Sequence, residues 1–365
     1  MAGKWKSACG RVWIRIPLPT RLAAPLMNPF RGSTGLRLLL APMEGLLDDV
    51  LRAALTASGG YDHVVTEFAR VSGTLLPERF FRRIAPELRQ GSRTEGGTPV
   101  HVQLLGSDPA CMHDNAARLA SLAPAGVDLN FGCPAPTVNR HRGGAALLNE
   151  PELLNRIAVA VRAAVPASIP LSAKMRLGID DAGRTIECAQ ALSEGGAGTL
   201  VVHARTKADG YRPPAHWEWV ARIDDAVAVP VVANGEVWSA ADWRRCRAVS
   251  GVDDVMLGRG AVADPFLAAR IRAGRLEQPD AEERAHEWAA LLPLIGAFRE
   301  RVRHKVEAEH APGRIKQWLH LLARNYPQAQ QLFAAIRSLR TLAEVEGALR
   351  RHGVPAPAIN PPSIA

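Results

Sequence analysis

Gly126-Val127-Asp128-Leu129-Asn130-Phe131-Gly132-Cys133-Pro134-Ala135-Pro136 is a short apolar run that turns polar and closes in a loop stiffened by two prolines. Gly132 lets another group approach the chain closely. An isolated cysteine is usually a buried small hydrophobe, but this one stands where a buried strand ends, at the lip of a pocket. The pattern recurs. Apolar runs at residues 38–43, 63–68, 100–106, 171–176, 200–205, 231–236 and 255–260 bring the count to eight. Their near-continuous apolar character suits parallel strands buried on both faces, and helical stretches such as 151–164 and 240–249 lie between them. Eight strand–helix units predict a (β/α)8 TIM barrel of the α/β class. Almost every run ends in a polar residue or glycine on its C-terminal side, where such barrels place active sites. An open doubly wound sheet is the alternative. The absence of Gly-x-Gly-x-x-Gly after the first run counts against a dinucleotide fold.

A chain of 365 residues accommodates such a barrel and a smaller companion domain, and a hydrophobic fraction of 47% is ample for a core. The five cysteines, Cys9, Cys111, Cys133, Cys188 and Cys246, show neither a CxxC pair nor zinc spacing. They predict a cytoplasmic protein with no disulfide framework and no metal. No apolar run reaches the roughly 20 residues of a membrane span. The formal charge of +9 is uneven. Residues 1–37 carry seven Lys/Arg and no acid, and residues 270–353 carry fifteen basic and ten acidic side chains, which leaves −3 for residues 38–269. Basic ends suggest a polyanionic partner such as nucleic acid, although an Arg-rich solvated surface gives the same count. An acidic barrel is expected to attract RNA poorly, leaving that task to the helical region.

Four segments are expected. Residues 1–35 read as an N-terminal extension, disordered or an over-long start, outside the fold. Residues 36–275 form the barrel. Residues 276–353 form a helical domain, with helices over 282–309, 314–325, 330–339 and 342–351. Residues 354–365 form a loose, Pro-rich tail. Ile315, Trp318, Leu319 and Leu322 share one helix face, which assigns Trp318 to packing.

Candidate site residues cluster at strand ends. Asn234-Gly235-Glu236 and Gly258-Arg259-Gly260, after the seventh and eighth strands, suit a phosphate: glycines expose backbone N–H groups and Arg259 adds charge. Lys174 stands in the otherwise apolar fifth strand, where a lysine is costly without an anion or acceptor; a structural ion pair is the other explanation. Gln103 and His203 offer donors and acceptors on the same barrel face. Pro42-Met43-Glu44 ends the first strand beside Gly45.

Ala41-Pro42-Met43-Glu44-Gly45, Val102-Gln103-Leu104-Leu105-Gly106, the Cys133 loop, Lys174-Met175-Arg176, Val202-His203-Ala204-Arg205-Thr206, Asn234-Gly235-Glu236 and Gly258-Arg259-Gly260 occur in the order seen in bacterial tRNA-dihydrouridine synthases. The chain resembles that family from residue 36 to about residue 350. Glu67-Phe68-Ala69-Arg70 and Arg314-Ile315-Lys316-Gln317-Trp318 resemble its C type, which acts on uridine 16 of the tRNA D-loop. The resemblance implies reduction of uridine to 5,6-dihydrouridine with FMN and NADPH, a proton from Cys133 to C5 and hydride to C6. It implies FMN binding by Pro42, Met43, Glu44, Gln103, Lys174, His203, Asn234, Gly235, Glu236, Gly258 and Arg259. RNA contacts are implied for Arg70, Asn130, Tyr211, Arg314, Lys316 and Arg337. Leu321 stands where the C type can carry an aromatic residue, so one contact is missing. A monomer is expected. The rivals are a small-molecule flavoenzyme akin to dihydroorotate dehydrogenase, which does not need basic helices, and a non-catalytic RNA-binding protein, which does not need Cys133.

Overall fold

In a computed structural model of the chain, residues 35–140 and 142–356 are described, together with a backbone pairing of Lys4–Lys6 with Val12–Ile14. The expected N-terminal extension otherwise lies outside the described residues.

Eight parallel strands close into a barrel: β1 (Leu38–Leu40), β2 (His63–Arg70), β3 (Val100–Leu105), β4 (Gly126–Phe131), β5 (Leu171–Arg176), β6 (Thr199–His203), β7 (Val231–Asn234) and β8 (Val255–Leu257), with β8 pairing β1. Each of the eight apolar runs forms one strand. The helices of the barrel are α1 (Asp49–Thr56), α2 (Glu78–Ile84), α3 (Pro109–Ala120), α4 (Pro136–Asn139), α5 (Pro151–Ala164), α6 (Thr185–Glu194), α7 (Glu218–Ala226), α8 (Ala240–Ser250), α9 (Arg259–Ala263) and α10 (Leu267–Arg272). Asp48, Asp108 and Ser239 cap α1, α3 and α8 through their side chains, each accepting a backbone N–H that has no partner within the helix.

Side chains alternate across each strand. One set packs outward against the helices in the main core. Inside the barrel, Leu39, Ala41, Val65, Val201, Val232 and Met256 form a small apolar cluster. In-register pairing of Gln103 with Asp128 and of Asp128 with Ser172 sets a polar layer inside the barrel, and Asn130 pairs with Lys174 one step nearer the C-terminal rim. A register shift between Val65 and Phe68 interrupts the alternation of β2, so that Glu67 and Phe68 both reach the cavity at that rim. The Thr66 hydroxyl, accepting from the Gln103 backbone N–H, replaces a ladder bond lost there.

The opposite end holds a pair of stacked imidazoles, the half-buried His63 and the buried His101, with ring centroids 3.8 Å apart. Burial, and then the Arg37 guanidinium, lowers His63 to about 3. Burial, and then His63, holds His101 well below its usual value. Both stay neutral in the fold while an unfolded histidine titrates near about 6.5. Their contribution to stability is therefore complete above about pH 6.5 and is lost as pH falls from there toward the folded values. His63→Phe keeps the ring stack and removes one site of proton uptake. Its Tm is expected to fall less steeply than that of the native chain between pH 7 and 5; an unchanged slope rejects this source of acid sensitivity.

The C-terminal domain comprises α11 (Ala281–Lys305), α12 (Ala311–Leu322), α13 (Pro327–Ile336) and α14 (Leu342–Arg351). Helix α11 stops four residues before the expected end. The next two helices start three residues before the expected positions, because Pro312 and Pro327 each occupy the first turn, where a missing N–H costs nothing. Trp318 is buried against Phe298 and donates to the Val262 carbonyl, which fixes α12 to the barrel. Val354, expected to open a loose tail, is buried, and Pro355 lies against Gly296. Residues 357–365 lie outside the described residues.

Candidate active site

The C-terminal ends of the strands open into a cavity of about 1510 Å³. That exceeds the ~300–1,000 Å³ of a typical small-molecule pocket. Cys133 sits on its wall, and every residue expected to touch a flavin lines it: Pro42, Met43, Glu44, Gln103, Lys174, His203, Asn234, Gly235, Glu236, Gly258 and Arg259. Arg70, Asn130 and Tyr211 line it as well.

The Cys133 loop is fixed from several sides. Asn130 Oδ1 accepts the backbone N–H groups of Gly132 at 3.0 Å and Cys133 at 2.9 Å. Asn130 Nδ2 donates to Gln103 Oε1 at 2.7 Å. The Asn130 amide is thus engaged within the protein rather than held out for a ligand. Asn139 donates to the Cys133 carbonyl, and Arg70 donates to the Thr137 carbonyl. Burial pushes the Cys133 thiol up from its ordinary value, and Glu44 adds to the shift; the Ala135 backbone, Arg176 and Arg70 oppose it. The thiol is neutral near pH 7.

Lys174 is enclosed by protein and faces the cavity. Burial, followed by Arg176, lowers it to about 8, against the attraction of Asp128 and Cys133. It remains largely protonated at neutral pH. Burial and four surrounding cations, Lys174, Arg176, Arg205 and Arg259, hold His203 well below its usual value, so its ring is neutral.

The loops after β7 and β8 carry the glycines. Gly235 has φ +118°, a left-handed conformation open chiefly to glycine. A Cβ on Gly258 would project into open space, with Met43 Sδ the nearest atom at 4.0 Å. The Arg259 guanidinium lies 4.8 Å from the Tyr211 ring and 5.4 Å from the Trp238 ring. Asn234 and Glu236 have structural partners: Asn234 Nδ2 donates to the Met256 carbonyl, and Glu236 accepts from Arg205 and from the Ala215 N–H.

The structure adds residues that the sequence did not single out. Arg176 is buried and donates to the carbonyls of Gly132, Thr206 and Gly210, tying the Cys133 loop to the Tyr211 loop. Arg205 joins His203 to Glu236. Arg83, on α2, lines the cavity, and so does Arg324, just past the end of α12, which lies 4.1 Å over the Trp238 ring. Of the charged side chains lining the cavity, eight are cationic and four are carboxylates. The expectation that the barrel as a whole attracts RNA poorly rested on net charge; around the cavity itself the charged lining is mostly cationic.

Arg314, Lys316 and Arg337 do not line the cavity. Arg314 pairs with Asp48 at 2.9 Å and donates to the Leu46 carbonyl at 3.1 Å, docking α12 on the barrel. Lys316 donates to the Leu339 carbonyl. Arg337 caps the end of α13.

A family model described as Dihydrouridine synthase (Dus) matches residues 39–350. A tRNA-dihydrouridine(16) synthase of Ralstonia nicotianae is 58% identical over 313 residues, 86% of this chain and 95% of the relative. Another, of Cupriavidus necator, is 56% identical over 325 residues, 89% of this chain and 99% of the relative. Among solved structures, histamine dehydrogenase from Rhizobium sp. 4-9 superposes with a TM-score of 0.51 at 16% identity, over 72% of this chain and 48% of that one. That likeness is one of fold. The match to the family model spans both the barrel and the helical domain. The chain is therefore an enzyme that belongs to the dihydrouridine synthase family, similar over most of its length to proteins named tRNA-dihydrouridine(16) synthase.

Proposed function

We propose that this enzyme reduces uridine 16 in the D-loop of tRNA to 5,6-dihydrouridine, with FMN as cofactor and NADPH as reductant. The observation that carries the reading is a neutral thiol, Cys133, on the wall of a large cavity that also holds the enclosed Lys174 ammonium and the Gly258-Arg259 loop. The names of the relatives support the target position.

The residues present fit a flavin mononucleotide. Arg259 and the open space above Gly258 suit its phosphate, and Lys174 supplies the cation that favours an electron-rich ring. When bound, FMN supplies the hydride for uracil C6. Gln103 and His203 offer polar atoms to the ring edge. Cys133 gives the proton to C5, a task suited to a thiol whose neutral form is favoured by burial. The uridine leaves its stack to enter, at a cost of a few kcal/mol, and the cavity has room for a base beside a flavin. Arg70 and Tyr211 stand at the entrance, and Tyr211 is the exposed aromatic there. Arg314, Lys316 and Arg337, off the cavity, would extend the contact along the helical domain, Arg314 and Lys316 in addition to the internal contacts they already make.

The test is to purify the protein, record its visible spectrum, and measure NADPH oxidation with and without unmodified tRNA. A flavin spectrum and dihydrouridine at position 16 are expected. Product at position 20 alone overturns the position, and protein that never binds flavin overturns the reaction. Arg259→Ala is expected to lose flavin more readily on gel filtration, because it removes the cation beside Gly258.

A further inference from the structure

We propose that Asp128 is a positioning residue: its carboxylate fixes the orientation of the Gln103 and Asn130 side-chain amides and, through them, the loop that carries the Cys133 thiol. The inference rests on the proposed role of Cys133 as proton donor. Asp128 is fully buried in β4 and accepts from Gln103 Nε2 at 2.6 Å and from Ser172 Oγ at 2.5 Å. Gln103 Oε1 in turn accepts from Asn130 Nδ2, and Asn130 Oδ1 accepts from the N–H groups of Gly132 and Cys133. The two ends of this chain are of opposite kind. An ionised carboxylate only accepts, and a backbone N–H only donates. Two amides between them satisfy every link in one orientation and no other. Turning either amide over places N–H against N–H or oxygen against oxygen inside the protein, where an unpaired polar group is costly. Asp128 thereby acts on Cys133 without touching it, and without touching any reacting atom.

The requirement is for an acceptor facing Gln103, not for charge. Asp128→Asn can present its oxygen to Gln103 and its NH₂ to the Ser172 hydroxyl, whereas Asp128→Ala can do neither. Three variants of the holoenzyme are compared in separate half-reactions: flavin reduction by NADPH, and dihydrouridine formation from tRNA by the pre-reduced enzyme. Asp128→Ala is expected to slow the second about 10–100-fold, as misplacement of a reacting group by about 1 Å does. It should slow the first clearly less than the second, because the flavin loses at most its Gln103 contact and keeps Lys174, His203 and the Gly258-Arg259 loop, whereas the Cys133 loop loses its anchor. Asp128→Asn should restore the second to within about threefold of native, because the acceptor is kept. Asn130→Asp, which keeps the acceptor for the loop but cannot donate to Gln103, should resemble Asp128→Ala; it carries the test if Asp128→Ala fails to fold. As an activity-independent readout, iodoacetamide should alkylate Cys133 faster in the Ala variant than in the native and Asn proteins, scored on the Cys133 peptide by mass. Equal slowing of both half-reactions, or an Asn variant as slow as the Ala variant, overturns the inference. So does a folded Ala or Asn130→Asp protein that makes dihydrouridine at the native rate. A native protein that makes no dihydrouridine overturns instead the reaction proposed above.

Discussion

Replacing Cys133 by alanine is expected to lower dihydrouridine formation about 10²–10⁴-fold, the range for loss of a general acid, while flavin binding and NADPH oxidation persist. Two tasks are separated in space. In the proposed reaction the Gly258-Arg259 loop and Lys174 serve the cofactor, and the Cys133 loop serves the base. Removing the thiol leaves the Asn130 contacts to the loop backbone intact, because they involve N–H groups rather than Sγ. The cavity shape therefore survives the substitution. The pH profile follows from the same environment. Burial and Glu44 raise the thiol above its ordinary value, so the acid form persists through neutrality and is lost only on the alkaline side. The native rate should fall at high pH as the thiol and the Lys174 ammonium, at about 8, lose their protons, and the alanine variant should keep only the Lys174 limb. Near-native product yield from the variant would show that another group protonates C5.

Much of this was legible in the sequence, and the reason is geometric. A parallel barrel strand is buried on both faces, so it announces itself as an apolar run; all eight were visible, and the polar residues at their ends fell on one rim by topology alone. The positions of Lys174, Gln103 and His203 in the cavity followed from strand alternation. Three things were hidden. Asp128 lies inside the first stretch quoted above, yet it passed as one polar residue in a strand, because its importance lies in its partners on β3 and β5. Arg176 and Arg205 looked like strand-end charges of no special kind; their roles as clasps depend on loop carbonyls far away in sequence. Net charge also misled. Summing over residues 38–269 averages the cavity lining, where Arg70, Arg83, Arg245 and Arg259 gather, with acidic side chains elsewhere in the segment. RNA responds to the local field, which low-dielectric cavity walls concentrate. Arg314 shows the converse: a basic residue in a basic helix whose first contact is Asp48 of the barrel, at a domain junction that no periodicity reveals.

Asp264→Ala is expected to destabilise the folded protein by about 3–5 kcal/mol, the usual cost of leaving a buried charge without its partner. Asp264 follows α9, directly after the proposed phosphate loop, and is 2% exposed. It pairs with Arg270 of α10 and, at 3.1 Å, with Arg284 of α11. Glu287 binds the same two guanidinium groups, and the Tyr326 hydroxyl reaches the carboxylates of both Asp264 and Glu287. Two cations and two anions thus balance at the seam between barrel and helical domain, so the cluster is stable as a set and fragile to single deletions. Removing Asp264 leaves Glu287 alone against two guanidinium groups. At roughly 2–4 °C per kcal/mol for a chain of this order of size, Tm should drop by about 10 °C. Asp264→Asn, which keeps an acceptor but not the charge, should fall between the two. Arg324, two residues before Tyr326 of this cluster, lines the cavity, so on the proposed reaction the apparent KM for tRNA should rise in the alanine variant below its unfolding temperature. Differential scanning calorimetry of the three proteins at one pH and salt concentration checks the first claim; an unchanged Tm would mean that the cluster contributes no net stability at this junction.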